Sequence, residues 1–236
     1  KGRAIRMNDQ DTIAVQKEIT ELITNMGGSF TGFSYVRDLL PEYLKPYPYA
    51  ITFGIKLSDA IIDEIDLEKP THNYFNHYRS VNFLIDQINL QILLTLQKRG
   101  YNAYTIAASQ SIPDSEIPFS GIFPHKTGAV ASGLGWIGKN GLFIHKDFGP
   151  RVRLGTVLTD MKLQTGNPMR ESLCGSCTKC VDACPAKALK GTLWEYGMER
   201  EKLLDPQACS VYMNKHFKHI GRGSVCGICI KVCPYK

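Results

Sequence analysis

The first 173 of the 236 residues contain no cysteine, which excludes a disulfide framework spread through the chain. Long hydrophobic runs are missing as well. No stretch approaches the ~20 apolar residues of a membrane-spanning helix, so no membrane association is expected. The start, Lys1 to Met7, is basic but has no apolar segment behind it, and it is not a secretory signal. It does not begin with Met, as a trimmed chain or a remnant ahead of Met7 would not. A repeat of roughly 20–50 residues is absent outside the cysteine motifs, which argues against a solenoid. The charge excess is small: 28 Lys and Arg against 22 Asp and Glu give +6. A nucleic-acid-binding protein would carry more, so DNA is not an expected partner. With 43% apolar and 21% charged residues, the composition is that of an ordinary globular chain.

The apolar periodicity predicts a mixed α/β core. An amphipathic helix is expected over residues 12–26, with Ile19, Leu22, Ile23 and Met26 on one face and Gly27 stopping it. A short strand follows over 30–36. Residues 49–57 alternate, with Ile51, Phe53, Ile55 and Leu57 facing one way, and read as a half-buried strand. Ser58 and Asp59 can cap a short helix through Leu67. The longest predicted helix covers 72–99. Val81, Leu84, Ile85, Ile88 and Ile92 form its stripe; Phe83, Leu90 and Leu94 widen it, so the helix is expected to be mostly buried. Residues 101–108 read as a strand, 109–124 as a loop and 126–132 as a small-residue helix. Strands are expected over 142–146 and 151–159, flanking a turn at 147–150. The polar stretch 165–171 marks a boundary between a core over 1–165 and a second domain over 166–236.

All eight cysteines lie in the last 63 residues. Cys174-x2-Cys177-x2-Cys180-x3-Cys184-Pro185 has the spacing of the bacterial ferredoxin run. Short x2 steps let three thiolates wrap one cubane, and the fourth cysteine points to the other cluster. The second set is Cys209 followed by Cys226-x2-Cys229-x3-Cys233-Pro234. This predicts two 4Fe–4S clusters with crossed ligands. Cluster one takes Cys174, Cys177, Cys180 and Cys233; cluster two takes Cys184, Cys209, Cys226 and Cys229. Structural zinc also favours four-cysteine sites, but it accounts neither for three cysteines in a row at x2 steps nor for an x3-Cys-Pro ending that occurs twice. Thiols reserved for metal imply a reducing, cytoplasmic compartment. Loaded clusters lower the net charge to roughly +2.

Gly133-x-Gly135-x-x-Gly138 matches the dinucleotide fingerprint literally, but the order is helix, glycines, strand instead of strand, glycines, helix. Two readings stay open: a tight helix-to-strand turn, or close backbone approach to a flat cofactor with Lys139 and Asn140 as polar contacts. Tyr74, His77 and Tyr78 share a helix face at i, i+3 and i+4. They are either an amphipathic cap or proton donors to a substrate. His125 is either ordinary loop chemistry or a cofactor contact. Lys215, Lys218 and Arg222, with His216 and His219, are either a solvated surface or a dock for an acidic electron donor such as ferredoxin or flavodoxin.

The segment from Ala131 to Lys139, the stretch Leu154-Gly-Thr-Val-Leu-Thr-Asp160 and the run from Cys174 to Pro185 resemble epoxyqueuosine reductase. More broadly, they resemble the corrinoid-dependent two-cluster reductases that include reductive dehalogenases. The resemblance covers residues 125–236 most strongly and 28–110 more faintly. It implies a nitroreductase-like α/β core that binds cobalamin, followed by a ferredoxin-like domain that feeds it electrons. It also implies base-off binding, since no Asp-x-His-x-x-Gly motif offers a lower ligand. Candidate cofactor contacts are His125, Lys126, Gly133, Gly135, Gly138, Lys139 and Asn140. Candidate catalytic donors are Tyr74, His77 and Tyr78. The chain also departs from the epoxyqueuosine pattern. The family's aspartate position counts back to Phe119, with only Asp114 and Glu116 near it. His125-Lys126 stands where Glu-Arg is usual, and the sequence stops straight after Cys233-Pro234, without the extension that helps hold tRNA. A small organic substrate is therefore expected over tRNA, and no twin-arginine leader is visible. FMN in place of cobalamin, or a non-enzymatic carrier that reduces a partner's cofactor, are the alternatives.

Overall fold

The computed structural model describes residues 9–110, 112 and 118–236. Its elements are α1 (Asp9–Asn25), β1 (Phe30–Tyr35), β2 (Tyr49–Lys56), α2 (Asp59–Asp63), α3 (His72–Lys98) and β3 (Ala103–Ile106). They continue with α4 (His125–Ala131), β4 (Gly135–Ile137), β5 (Phe143–His145), β6 (Val152–Thr159), α5 (Lys179–Asp182), α6 (Pro206–Phe217) and α7 (Ile228–Lys231). Strands β1, β2, β6 and β3 lie side by side in that order, all antiparallel. Side chains alternate across a strand. One face of the sheet carries Ile51, Phe53 and Val157, packed with Ile19 and Ile23 of α1 and Ile85, Ile88 and Ile92 of α3. The other face is covered by α4. The core is thus a helix–sheet–helix stack of three layers.

The small residues of α4 have a packing reason. A Cβ at Gly128 would overlap the Thr52 hydroxyl, so only glycine lets the helix lie this close to the sheet. For the same reason β2 is buried on both faces from Ala50 to Ile55, not half-buried as its alternation predicts. The expected widening of the long helix is also corrected. Phe83, Leu90 and Leu94 are 68%, 45% and 38% exposed, because only the Ile85–Ile88–Ile92 side of α3 meets the sheet. Helix α2 stops at Asp63, short of Leu67, and the Ser58 hydroxyl makes no capping bond. Strand β5 pairs with β4, which is too short for its alternation to be read, while β6 crosses into the main sheet. Arg151, buried at the start of β6, donates to Asp59 (2.9 Å) and Asp63 (2.6 Å) and ties that turn to α2.

Residues 165–171, expected as a linker, run along the core. Gly166 N–H donates to Phe33 O and Met169 N–H to Val130 O. The C-terminal residues then enter the interior: Ile228 and Ile230 join the α1–α3 core, and Trp194, Leu203 and Cys233 pack with Trp136 and Ile144. None of the helices among the described residues is long and apolar enough to cross a membrane.

Gly128→Val should lower stability by about 1–3 kcal/mol through overpacking against Thr52. A lower urea midpoint at unchanged slope is the expected reading.

Candidate iron–sulfur and cofactor site

Cys174, Cys177, Cys180 and Cys233 line one cavity, with Lys139, Asn140, Ile144, Pro234 and Tyr235 completing its wall. Burial pushes the Cys233 thiol up to about 11, and the sulfurs of Cys174, Cys180 and Cys177 add to the rise. The other four cysteines form a second group. Cys209 lies on α6 and Cys229 on α7, with Cys226 just ahead of it. Burial raises Cys226 to about 11, with Cys209 and Cys184 adding to it. Burial holds Cys229 well above the usual thiol value, reinforced by Cys226, Cys209, Cys180 and Cys184. Thiols held this high become ligands when a bound metal displaces the proton. Two neighbouring groups of four sulfurs fit two 4Fe–4S clusters. They also fit the crossed division, because Cys233 faces Cys174 and not its sequence neighbours Cys226 and Cys229. The contribution of Cys180 to Cys229 marks where the two groups approach each other.

The glycines serve the chain's own packing. A Cβ at Gly135 would overlap Ile144 O across the β4–β5 pair, and one at Gly133 would overlap Asn167 O. A Cβ at Gly138 would press on Asn140 Oδ1 and Ile144. The close approach at these three positions is thus made by the chain's own backbone and side chains. Lys139 and Asn140 also bond within the chain. Lys139 Nζ donates to Gly175 O (2.8 Å) and Cys177 O (3.1 Å), and Asn140 Oδ1 accepts from Leu142 N–H (3.0 Å). A sequence reading could not see this for Gly133, Gly135 and Lys139, because their partners Asn167, Ile144, Gly175 and Cys177 lie on other strands or turns.

Two clefts open beside this region. The first, of about 750 Å³, is walled by His125, Lys126, Phe143, Val152, Arg153 and Leu154 of the core and by Ile230 of α7. The second, of about 1170 Å³, is lined by residues 106–110, 119–126 and 199–201, and shares the Pro124–Lys126 edge with the first. His125 is locked on both nitrogens. Nε2–H donates to Ala107 O (3.0 Å), which leaves Nδ1 to accept from the Thr156 hydroxyl (3.0 Å). Burial pushes its pKa down to about 4, the Ala107 bond opposing and Arg153 assisting, so the ring stays neutral. With both nitrogens engaged, it is not a ligand for a metal in the cleft. Lys126 Nζ donates to Gly141 O (2.9 Å). Burial, helped by Arg200 and opposed by Glu201, lowers it to about 8.

The three expected donors on α3 separate. His77 Nε2 accepts from Ser58 N–H (3.0 Å), which turns it to the start of α2 and away from the clefts. Tyr74 is buried against the Gly227 turn, and burial holds its hydroxyl well above the usual phenol value. Tyr78 reaches the cleft edges through partners. Its hydroxyl bonds Ser109 Oγ (3.1 Å), a residue of the second cleft, and accepts from Arg153 (3.3 Å), a residue of the first. Burial raises its pKa, but Arg153 and hydrogen bonds from Ser109 and Asn82 outweigh that, and the net shift is downward. Arg153 was missed in the sequence. The available signal was a charged residue inside an otherwise apolar strand. It also donates to Asn82 Oδ1 (2.9 Å) and Ala108 O (3.2 Å). Phe119, where the family's aspartate counts, has φ +58° and gives its carbonyl to Arg200. Asp114 and Glu116 lie outside the described residues.

Residues 173–236 match the family described as a 4Fe-4S double cluster binding domain, which makes this segment a double-cluster iron–sulfur domain. Relatives occur in both families that the sequence resembles. The chain is 31% identical over 164 residues to the tetrachloroethene reductive dehalogenase of Desulfitobacterium hafniense, covering 63% of this chain and 26% of that protein. It is 35% identical over 116 residues to the epoxyqueuosine reductase of Lactococcus garvieae strain Lg2, covering 45% and 30%. The chain thus spans between a quarter and a third of the length of these relatives. A solved reductive dehalogenase, whose structure suggests a mechanism for B12-dependent dehalogenation, superposes at TM-score 0.72 and 19% identity over 99% of this chain and 33% of that one. At that identity the likeness shows the mixed α/β fold.

Anaerobically reconstituted protein should hold about eight irons and eight acid-labile sulfides per chain. Cys233→Ser should reduce the cluster held by Cys174, Cys177 and Cys180 and spare the other, read by elemental analysis and EPR.

Proposed function

We propose that this chain is a corrinoid-dependent reductase module: two 4Fe–4S clusters relay single electrons to a base-off cobalamin in the first cleft, where a small organic substrate is reduced. The observation that carries the reading is the shared wall of that cleft. Ile230, between Cys229 and Cys233, faces it from the cluster side, while His125, Lys126 and Arg153 face it from the core. A cofactor held there would sit against both. His125, with no free nitrogen, would leave the lower face of a corrinoid without a histidine ligand, in keeping with base-off binding. When bound, reduced cobalamin supplies a strong nucleophile and one-electron donor, and the protein's part is orientation and proton supply.

Val152, Leu154 and Phe143 would exclude water from the ring. Arg153 would orient Tyr78 and hold its hydroxyl ready to release a proton through the edge lined by Ser109. Lys126, near 8, is the second group at the cleft able to give a proton near neutral pH. His77 is withdrawn from this role and Tyr74 is retained only as a wedge beside cluster two. The electron source we assign is a low-potential acidic carrier of the ferredoxin or flavodoxin type. Lys215 and His216 lie in the last turn of the α6 helix that carries Cys209, Lys218, His219 and Arg222 follow it, and all five are exposed.

Binding of cob(II)alamin, followed by EPR, should show loss of the superhyperfine pattern of the lower nitrogen. Leu154→Trp should fill the cleft and weaken binding at least tenfold while iron stays at about eight per chain. Retention of the nitrogen pattern or no binding sinks the reading, and tight FMN binding instead turns it to a flavin reductase.

Reversing Lys215 and Lys218 to Glu should slow reduction by an acidic ferredoxin severalfold at low ionic strength, with the difference shrinking as salt is added. Stopped-flow bleaching of the cluster absorbance measures it.

A further inference from the structure

We propose that Lys139 sets cluster one at a higher reduction potential than cluster two, so that an electron entering the cluster domain comes to rest on cluster one. The proposal rests on the crossed division of the cysteines and stands whether or not a corrinoid binds.

The two groups of cysteines have unlike electrostatic surroundings. Lys139 is 6% exposed and lines the cavity of Cys174, Cys177, Cys180 and Cys233. Its ammonium donates to Gly175 O at 2.8 Å and to Cys177 O at 3.1 Å, which fixes a positive charge on the turn that carries two of the four ligands. A charge so enclosed is little screened by salt. Each cluster cycles by one electron between a core of charge +2 and one of +1. The reduced state is the more negative, and a fixed cation beside it favours that state.

Cluster two has the opposite neighbour. Asp205 caps α6, its Oδ1 accepting from Ala208 N–H at 2.9 Å, and the Cys209 amide bonds the Asp205 carbonyl. A carboxylate one turn from a ligand disfavours the added electron. The cations on that side either lie exposed and screened, as Lys215, Lys218 and Arg222 do, or bond away from the ligand turns. Lys231 donates to Ile65 O, and Arg153 to Asn82, Tyr78 and Ala108 O; neither bonds a cysteine-bearing turn. Lys179, beside Cys180, is exposed and screened. Lys139 of the glycine loop thereby acquires a role as a positioning and tuning residue. A purely structural tie would hold the 174–177 turn without moving the potential, and that is the alternative to exclude.

The full chain, reconstituted with iron and sulfide and free of corrinoid, is titrated with dithionite and followed by EPR. Cys233→Ser identifies which signal belongs to cluster one. In the wild type, cluster one should reduce first. Lys139→Gln keeps a hydrogen-bond donor but removes the charge. It should shift the one-electron equilibrium between the clusters at least tenfold away from cluster one, about 59 mV. Lys139→Arg should keep it within threefold of wild type. The proposal is overturned if cluster two reduces first in the wild type, if Lys139→Gln leaves the distribution unchanged with eight irons retained, or if Lys139→Arg shifts it as far as Gln. Should Lys139→Gln lose cluster one, the order of reduction in the wild type decides. Iron near four in wild-type protein would instead refute the two-cluster reading itself.

Discussion

Two groups of four sulfurs must be gathered from a segment of 63 residues, and the rest of the architecture depends on how that is done. Cys233 is nearer in sequence to Cys226 and Cys229, yet it faces Cys174, Cys177 and Cys180. To bring it there, the chain leaves α6, passes Cys226, forms α7 and returns along the earlier run. That return path places Ile228 and Ile230 in the core of α1 and α3 and sets Tyr235 edge-on to Trp136, with ring centroids 5.1 Å apart. The cluster segment therefore has little apolar surface to bury by itself and completes the interior of the α/β core. A small cysteine-rich segment needs such help, because its own core is too small.

The same crossing explains why the cleft lies where it does. β6 runs through the centre of the sheet, and its first residues, Val152 to Leu154, emerge at the edge where α7 arrives. The polar side chains Arg153 and His125 at this junction are each held by specific partners. Arg153 spans Tyr78, Asn82 and Ala108, and its guanidinium lies 4.3 Å from the Tyr78 ring centroid. His125 is held neutral between Ala107 and Thr156, and Thr156 in turn faces Thr52 at 3.3 Å. A wall of this kind is preorganised: its groups are already bonded to protein, and a ligand in the proposed site would meet them with little rearrangement.

Much of the fold was legible in the residues. The alternation of residues 49–57 located one central strand, the turn at 147–150 set off the other over 151–159, and the apolar stripe of 81–92 located the long helix. These are local signals, written by periods of two and 3.6 residues. What the patterns missed was short or two-sided. Strand β4 has only three residues, and α3 carries apolar residues on a face that the sheet never meets.

For the site, the sequence by itself determined the ligand chemistry, because thiolate spacing is a property of the chain and x2 steps suit one cubane whatever surrounds them. It could not say what the glycine loop faces, since Ile144 and Asn167 approach it only after β5 forms and the linker folds back. Nor could it separate Tyr78 from His77, one residue apart on the same helix. Their roles diverge because Arg153 arrives on one side and Ser58 on the other, across 75 and 19 residues of sequence. Distances of that kind are decided by packing of the whole chain, and so the cleft, the neutral histidine and the buried Lys139 beside the first group of cysteines belong to the tertiary structure alone.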